Sequence, residues 1–118
     1  MTLLVLGLIS YAKNGVEVTT LSIVTQSSDN KFSLSGAKYT IKKITTDENN
    51  NEVAEDAKDY YGNLIGNEEN IDGTAYRIIT SNENGEINLD LPAGKYRITE
   101  IAAPTGYKLN ENNTYDIV

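Results

Sequence analysis

The sequence predicts an all-β sandwich of about seven strands. Three observations carry that expectation. Apolar and polar residues alternate with a period of two in Lys38–Thr45, Glu86–Leu91 and Lys95–Ile101. Turn-forming clusters bound these runs: Ser27-Ser28-Asp29-Asn30-Lys31, Ser81-Asn82-Glu83-Asn84-Gly85 and Ala103-Pro104-Thr105-Gly106. The composition is polar and rich in Thr and Tyr, with 8 Tyr, 1 Phe and no Trp, the usage of an extracellular β-domain.

Taken in order, residues 1–15 form an N-terminal apolar segment and residues 16–118 a single domain, with its C-terminal strand open to truncation. Leu3–Ile9 is the strongest apolar run and falls far short of the roughly 20 residues a bilayer needs. Two readings are open. The run can be the core of a clipped secretion signal, since Ser10-Tyr11-Ala12 places small residues as a signal peptidase requires, although no Lys or Arg precedes it. It can equally be an extra strand. Val16–Thr25 is β-branched throughout and reads as a strand.

Lys38–Thr45 faces inward through Tyr39 and Ile41. Asp47–Gly73 is a long polar insert. Val53, Ala57, Tyr60, Tyr61 and Leu64 recur there at helical spacing, so one short helix is expected, with Gly62 closing it. Ala75–Thr80 is a strand, and Asn84-Gly85 signals a type I′ hairpin. Ile87, Leu89 and Leu91 share one face of the next strand. Tyr96, Ile98 and Glu100 share one face of Lys95–Ile101. Tyr107–Val118 supplies one strand or two. The expected core is Tyr39, Ile41, Ile78, Ile87, Leu89, Tyr96 and Ile98.

Composition narrows function. A net charge of −7 and a pI near 4.5 argue against nucleic acid and anionic membrane surfaces, which require basic patches. The chain has no Cys and no His. Disulfides, thiolate chemistry, imidazole-based triads and the usual zinc sites are excluded.

Glu100 is the residue that stands out. It shares its face with Tyr96 and Ile98, and burying an unpartnered carboxylate is costly. Tyr96-x-Ile98-x-Glu100-x-x-Ala103-Pro104-x-Gly106-Tyr107 resembles the E-box of Gram-positive surface-protein modules, namely the B-type repeats of collagen adhesins and the SpaA-type shaft domains of pilins. Asn84-Gly85-Glu86-Ile87-Asn88-Leu89-Asp90-Leu91-Pro92-Ala93-Gly94-Lys95-Tyr96 resembles the lead-in of the same modules, and Leu34-Ser35-Gly36-Ala37-Lys38-Tyr39-Thr40-Ile41 their earlier LxGA motif.

The resemblance implies a prealbumin-like or inverse Ig-like sandwich. It also implies a non-catalytic spacer or shaft module of a pilus or cell-surface protein, secreted to the cell wall of a Gram-positive bacterium. Its partners would be neighbouring modules, with no membrane insertion and no cofactor. The alternative is an adhesin domain that recognises a host protein or glycan through its loops. A surface patch of Tyr60, Tyr61 and Tyr76 favours binding, and a uniformly polar surface favours the spacer.

The resembled modules are crosslinked by an isopeptide bond between a Lys and an Asn, assisted by a Glu. Glu100 fits the acid. The Lys position on the first strand falls at Thr25 or a neighbour, and the Asn position is expected beyond Val118. Lys13 and Lys31 flank the strand near turn signals, where solvation is expected. No internal crosslink is therefore expected. A Thr–Gln ester is no better placed, because Gln26 is the only Gln, adjacent to Thr25 and on the opposite face.

Asp47-x-Asn49-x-Asn51 resembles the start of a calcium loop, but Glu52 and Lys58 stand where Gly and Glu are needed. With Glu48, Glu55, Asp56, Asp59, Glu68 and Glu69 it is read as a solvated acidic face, and no metal is expected. Leu91-Pro92-Ala93-Gly94 is read as a turn, not a sortase signal.

Overall fold

The structure, a computed structural model, describes the backbone of residues 2–13, 16–27, 33–109 and 113–117, and the side chains of residues 20–26, 33–109 and 113–117. Among the described residues there are nine strands in two sheets and no helix. They are β1 (Thr2–Lys13), β2 (Val16–Ser27), β3 (Lys38–Thr46), β4 (Glu52–Asp56), β5 (Asn67–Ile71), β6 (Thr74–Thr80), β7 (Glu86–Pro92), β8 (Lys95–Ala102) and β9 (Thr114–Ile117). The smaller sheet has the order β1-β2-β7. The larger runs β5-β6-β3-β8-β9, with β4 also paired to β3. All pairings are antiparallel. Leu3–Ile9 lies within β1, which pairs with β2 along its whole length.

The core lies between the sheets. Leu21 and Ile23 of β2 and Ile87 and Leu91 of β7 meet Tyr39 and Ile41 of β3 and Tyr96 and Ile98 of β8. The period-two alternation is what aims these side chains, because successive strand residues point to opposite faces. Ala37 and Ile65 fill the flank of the core. The Tyr96 hydroxyl donates to the Pro92 carbonyl at 2.7 Å, so the ring is buried with its polar tip satisfied. The LxGA segment is clasped by Ser81. Its hydroxyl accepts from Ala37 N and donates to Leu34 O, both at 3.0 Å.

The helix expected in the polar insert is not formed. β4 pairs with β3 there, β5 pairs with β6, and a tight turn joins Asp59 to Asn63. The apolar spacing of Val53, Ala57, Tyr60, Tyr61 and Leu64 is helical only by coincidence. Ala57 N donates to Ile41 O, which ties that residue to β3. Short isolated helices are marginal in water, and Asp and Asn side chains compete for the backbone donors a helix would use.

Among the described residues, three turns have one build. In Asp47–Asn51, Asp59–Asn63 and Asn82–Glu86, the first residue's side-chain oxygen accepts from the backbone N–H groups of the third and fifth residues. The fourth residue donates to the first residue's carbonyl and has positive φ: Asn50, Gly62 and Gly85. The hairpin at Asn84-Gly85 is therefore not type I′. Only Gly85 is left-handed, after a turn centred on Glu83 and Asn84. Gly85 is doubly required, because a Cβ there would lie 2.8 Å from both Thr25 O and Leu34 N.

Candidate functional site

β2, β3 and β8 bring three polar side chains into the core: Thr25, Tyr39 and Glu100. Thr25 and Tyr39 are fully buried, and Glu100 is 5% exposed. Each reaches the interior for the reason its apolar neighbours do. Thr25 follows Leu21 and Ile23 on the inward face of β2, and Glu100 follows Tyr96 and Ile98 on β8. Tyr39 stands directly across from Glu100 in the β3–β8 register, beside an irregularity between Lys38 and Tyr39.

The three form a chain of hydrogen bonds. Thr25 Oγ1 lies 2.5 Å from the Tyr39 hydroxyl, and that hydroxyl is bonded in turn to the Glu100 side chain. With its own proton directed at Glu100, Tyr39 accepts from Thr25. Burial drives the Tyr39 pKa far above its ordinary value. The Thr25 bond pulls it back somewhat, and the charge and hydrogen bond of Glu100 push it up further. Tyr115 of β9 is raised as well, by burial and then by the charge of Glu100.

The last strand runs past this cluster. Glu100 N donates to Asn113 O at 2.8 Å, and Asn113 Nδ2 donates to Glu100 O at 3.1 Å. An amide thus flanks Glu100 within the chain, turned onto its backbone. Among the described residues, no Lys joins the cluster. Thr25 occupies the inward position on β2, and the buried polar residues among those described are Thr25, Thr40, Ser81 and Glu100. Lys38 pairs with Glu69, Lys42 with Asp56, and Lys95 lies within 4 Å of Glu52 and Asp116. The side chains of Lys13 and Lys31 lie outside the described residues. Gln26 is half-buried beside the fully buried Thr25.

The acidic residues of the insert are dispersed. Asp47 and Asp59 serve their turns. Glu52 and Asp116 both bind Arg97, at 2.8 and 2.7 Å. Asp56 binds Lys42 at 2.5 Å. These side chains form a ladder of paired charges on the outer face of the larger sheet, made of two groups, Asp56–Lys42 and Glu52–Arg97–Asp116, with Lys42 standing across from Arg97. Asp116 has a lowered pKa, chiefly through its hydrogen bond from Arg97. Tyr76 is half-buried on β6, while Tyr61 is 64% exposed.

A family model described as the SpaA prealbumin-like fold domain matches residues 19–118. The chain belongs to that family. No curated protein and no solved structure matches it. Membership of the SpaA family makes the chain a module of the pilin and surface-protein type with a prealbumin-like fold. It also covers the cluster, since Thr25, Tyr39 and Glu100 all fall within the matched residues.

Two features of this SpaA domain were not anticipated. One is the partnership of Thr25 and Tyr39 with Glu100. Its signal was the inward parity of Thr25 with Leu21 and Ile23, two buried neighbours on the same strand. The other is the repeated turn, signalled by Asp or Asn at the first position and Gly or Asn at the fourth.

Proposed function

We propose that the domain is a structural spacer of a pilus or cell-surface protein, exported to the wall of a Gram-positive bacterium, and that it works without an internal covalent crosslink. The observation that supports a spacer is the charge ladder. The outer face of the larger sheet satisfies its own charges through Lys42, Asp56, Arg97, Glu52 and Asp116, and offers a partner little to gain. The absence of a crosslink is supported by the Thr25–Tyr39–Glu100 cluster, where neutral hydroxyls stand at the inward position. Neither hydroxyl is a strong nucleophile here: the Thr25 hydroxyl meets the Tyr39 phenol and no base, and burial holds the Tyr39 phenol protonated. Its partners are then the modules on either side.

Single-molecule pulling tests both statements. Unfolding should extend the folded segment to its full contour length, about 3.3–3.6 Å per residue. An extension shortened by a bridged segment would contradict the uncrosslinked state. Unfolding at forces too small to straighten a free chain would contradict a load-bearing role.

A second reading, ligand binding through the loops, is favoured by one observation. The Asp59–Asn63 turn displays two adjacent tyrosines, with Tyr61 largely exposed.

A further inference from the structure

Of the three turns with the common build, two carry polar residues at the tip, Glu48-Asn49 and Glu83-Asn84. The third carries Tyr60-Tyr61. Turn chemistry does not ask for aromatic rings there, as the other two copies show. The rings meet edge-on, with centroids 5.3 Å apart and planes at 86°. Tyr60 N donates to Asp90 O at 2.8 Å, and Lys58 bridges to Leu64, so the turn is held against β7. A ligand meeting this surface would have little loop to order.

Beside the tyrosines opens a cavity of about 360 Å³, toward the small end of the usual range of about 300–1,000 Å³. Tyr60 and Tyr96 line it together with Lys43, Glu55 and Lys58. Lys43 and Glu55 face each other across β3 and β4 without forming an ion pair, and Lys58 has no ion-pair partner among the described residues. Asp56 and Asp59 also border the cavity, but Asp56 is held by Lys42 and Asp59 by its turn. The walls therefore present ammonium donors and carboxylate acceptors in near balance, and no dominant field of either sign.

We infer that this cavity binds a small neutral saccharide, resting on the ligand-binding reading above. A sugar ring has an apolar C–H face and a rim of hydroxyls that both donate and accept. Tyr60, which lines the cavity, supplies a flat apolar surface for the face, and the exposed Tyr61 meets its ring edge-on. Glu55 accepts from hydroxyls, and Lys43 and Lys58 donate to them. A strongly anionic or cationic ligand would meet charge of its own sign at close range.

The test is amide chemical-shift titration of the isotope-labelled domain with glucose, galactose, N-acetylglucosamine and lactose, and with sialyllactose as the charged contrast. At least one neutral sugar should shift the amides of Glu55 and Lys58–Gly62 saturably. Tyr60→Ala should weaken that binding by about tenfold or more, and Tyr60→Phe should preserve it, with the amide spectrum away from the turn unchanged in both. Equal affinity in Tyr60→Ala, or a preference for sialyllactose, would overturn the inference. Saturable shifts confined to another face would overturn this site while leaving the ligand-binding reading in place. Shifts with none of the sugars would overturn the site as well. Binding of the same domain to immobilised host matrix proteins, measured in parallel, then decides the broader reading by itself.

Discussion

The buried Thr25–Tyr39–Glu100 cluster and the Asp56–Lys42 and Glu52–Arg97–Asp116 ladder engage opposite faces of the larger sheet, and they hold the domain very unequally. The ladder has more charges and more ion pairs. Its members stand in water, where attraction is screened and side-chain ordering offsets much of the gain. The cluster has only two hydrogen-bonded links, but it is buried, so little water can replace a lost partner. Solvent access, not the number of contacts, sets what each is worth.

The strongest way to break that comparison is at Tyr39. Tyr39→Ala removes a fully buried ring and should cost about 3–5 kcal/mol in chemical denaturation. Tyr39→Phe keeps the ring and strands the Thr25 hydroxyl and Glu100, and should still cost about 1–3 kcal/mol. A loss near zero for Tyr39→Phe would mean that the hydroxyl contributes nothing to the fold.

Alkaline titration comes next. Folding raises the pKa of Tyr39, and also those of Tyr96 and Tyr115. A group whose folded pKa is raised holds its proton more tightly in the native state. The stability it lends is complete below its unfolded value of about 10, and is lost as pH rises from there through the folded value. Thermal melts should therefore fall steeply above that pH, and less steeply in Tyr39→Phe. A flat profile would contradict the burial of a protonated hydroxyl.

Glu100→Gln keeps an acceptor for Tyr39 and should be tolerated at neutral pH, within about 1 kcal/mol. A loss of several kcal/mol would show instead that the carboxylate carries a charge its surroundings depend on. Asp116→Asn should have the smallest effect of the series. It removes the carboxylate whose pKa the hydrogen bond from Arg97 lowers; the stabilisation lost exists above the carboxylate's unfolded pKa and fades as pH falls through the folded one. Melts in added salt should erase the difference from the parent.

Most of the sandwich was legible because period-two alternation is a direct imprint of a half-buried strand. Tyr39, Ile41, Ile78, Ile87, Tyr96 and Ile98 are buried as their parity requires, and Leu89 packs partly exposed against them. Glu100 was legible for the same reason. The insert was not. Glu52–Asp56 and Asn67–Ile71 are too polar to announce strands, and they pair because β3 and β6 offer open edges. The helix expected there gave way to a turn whose build depends on Asp59 and Gly62, two residues that periodicity does not weigh. The partners of Glu100 were hidden because cross-sheet contacts such as Thr25 to Tyr39 depend on how the sheets stack.

The central claim is that hydrogen bonds alone join Thr25, Tyr39 and Glu100, where the resembled modules carry a covalent link. Intact mass spectrometry of the purified domain tests it most directly. The account predicts the unmodified sequence mass of 12.9 kDa. A deficit of one ammonia or one water would contradict it, since forming an isopeptide or ester bond expels one or the other.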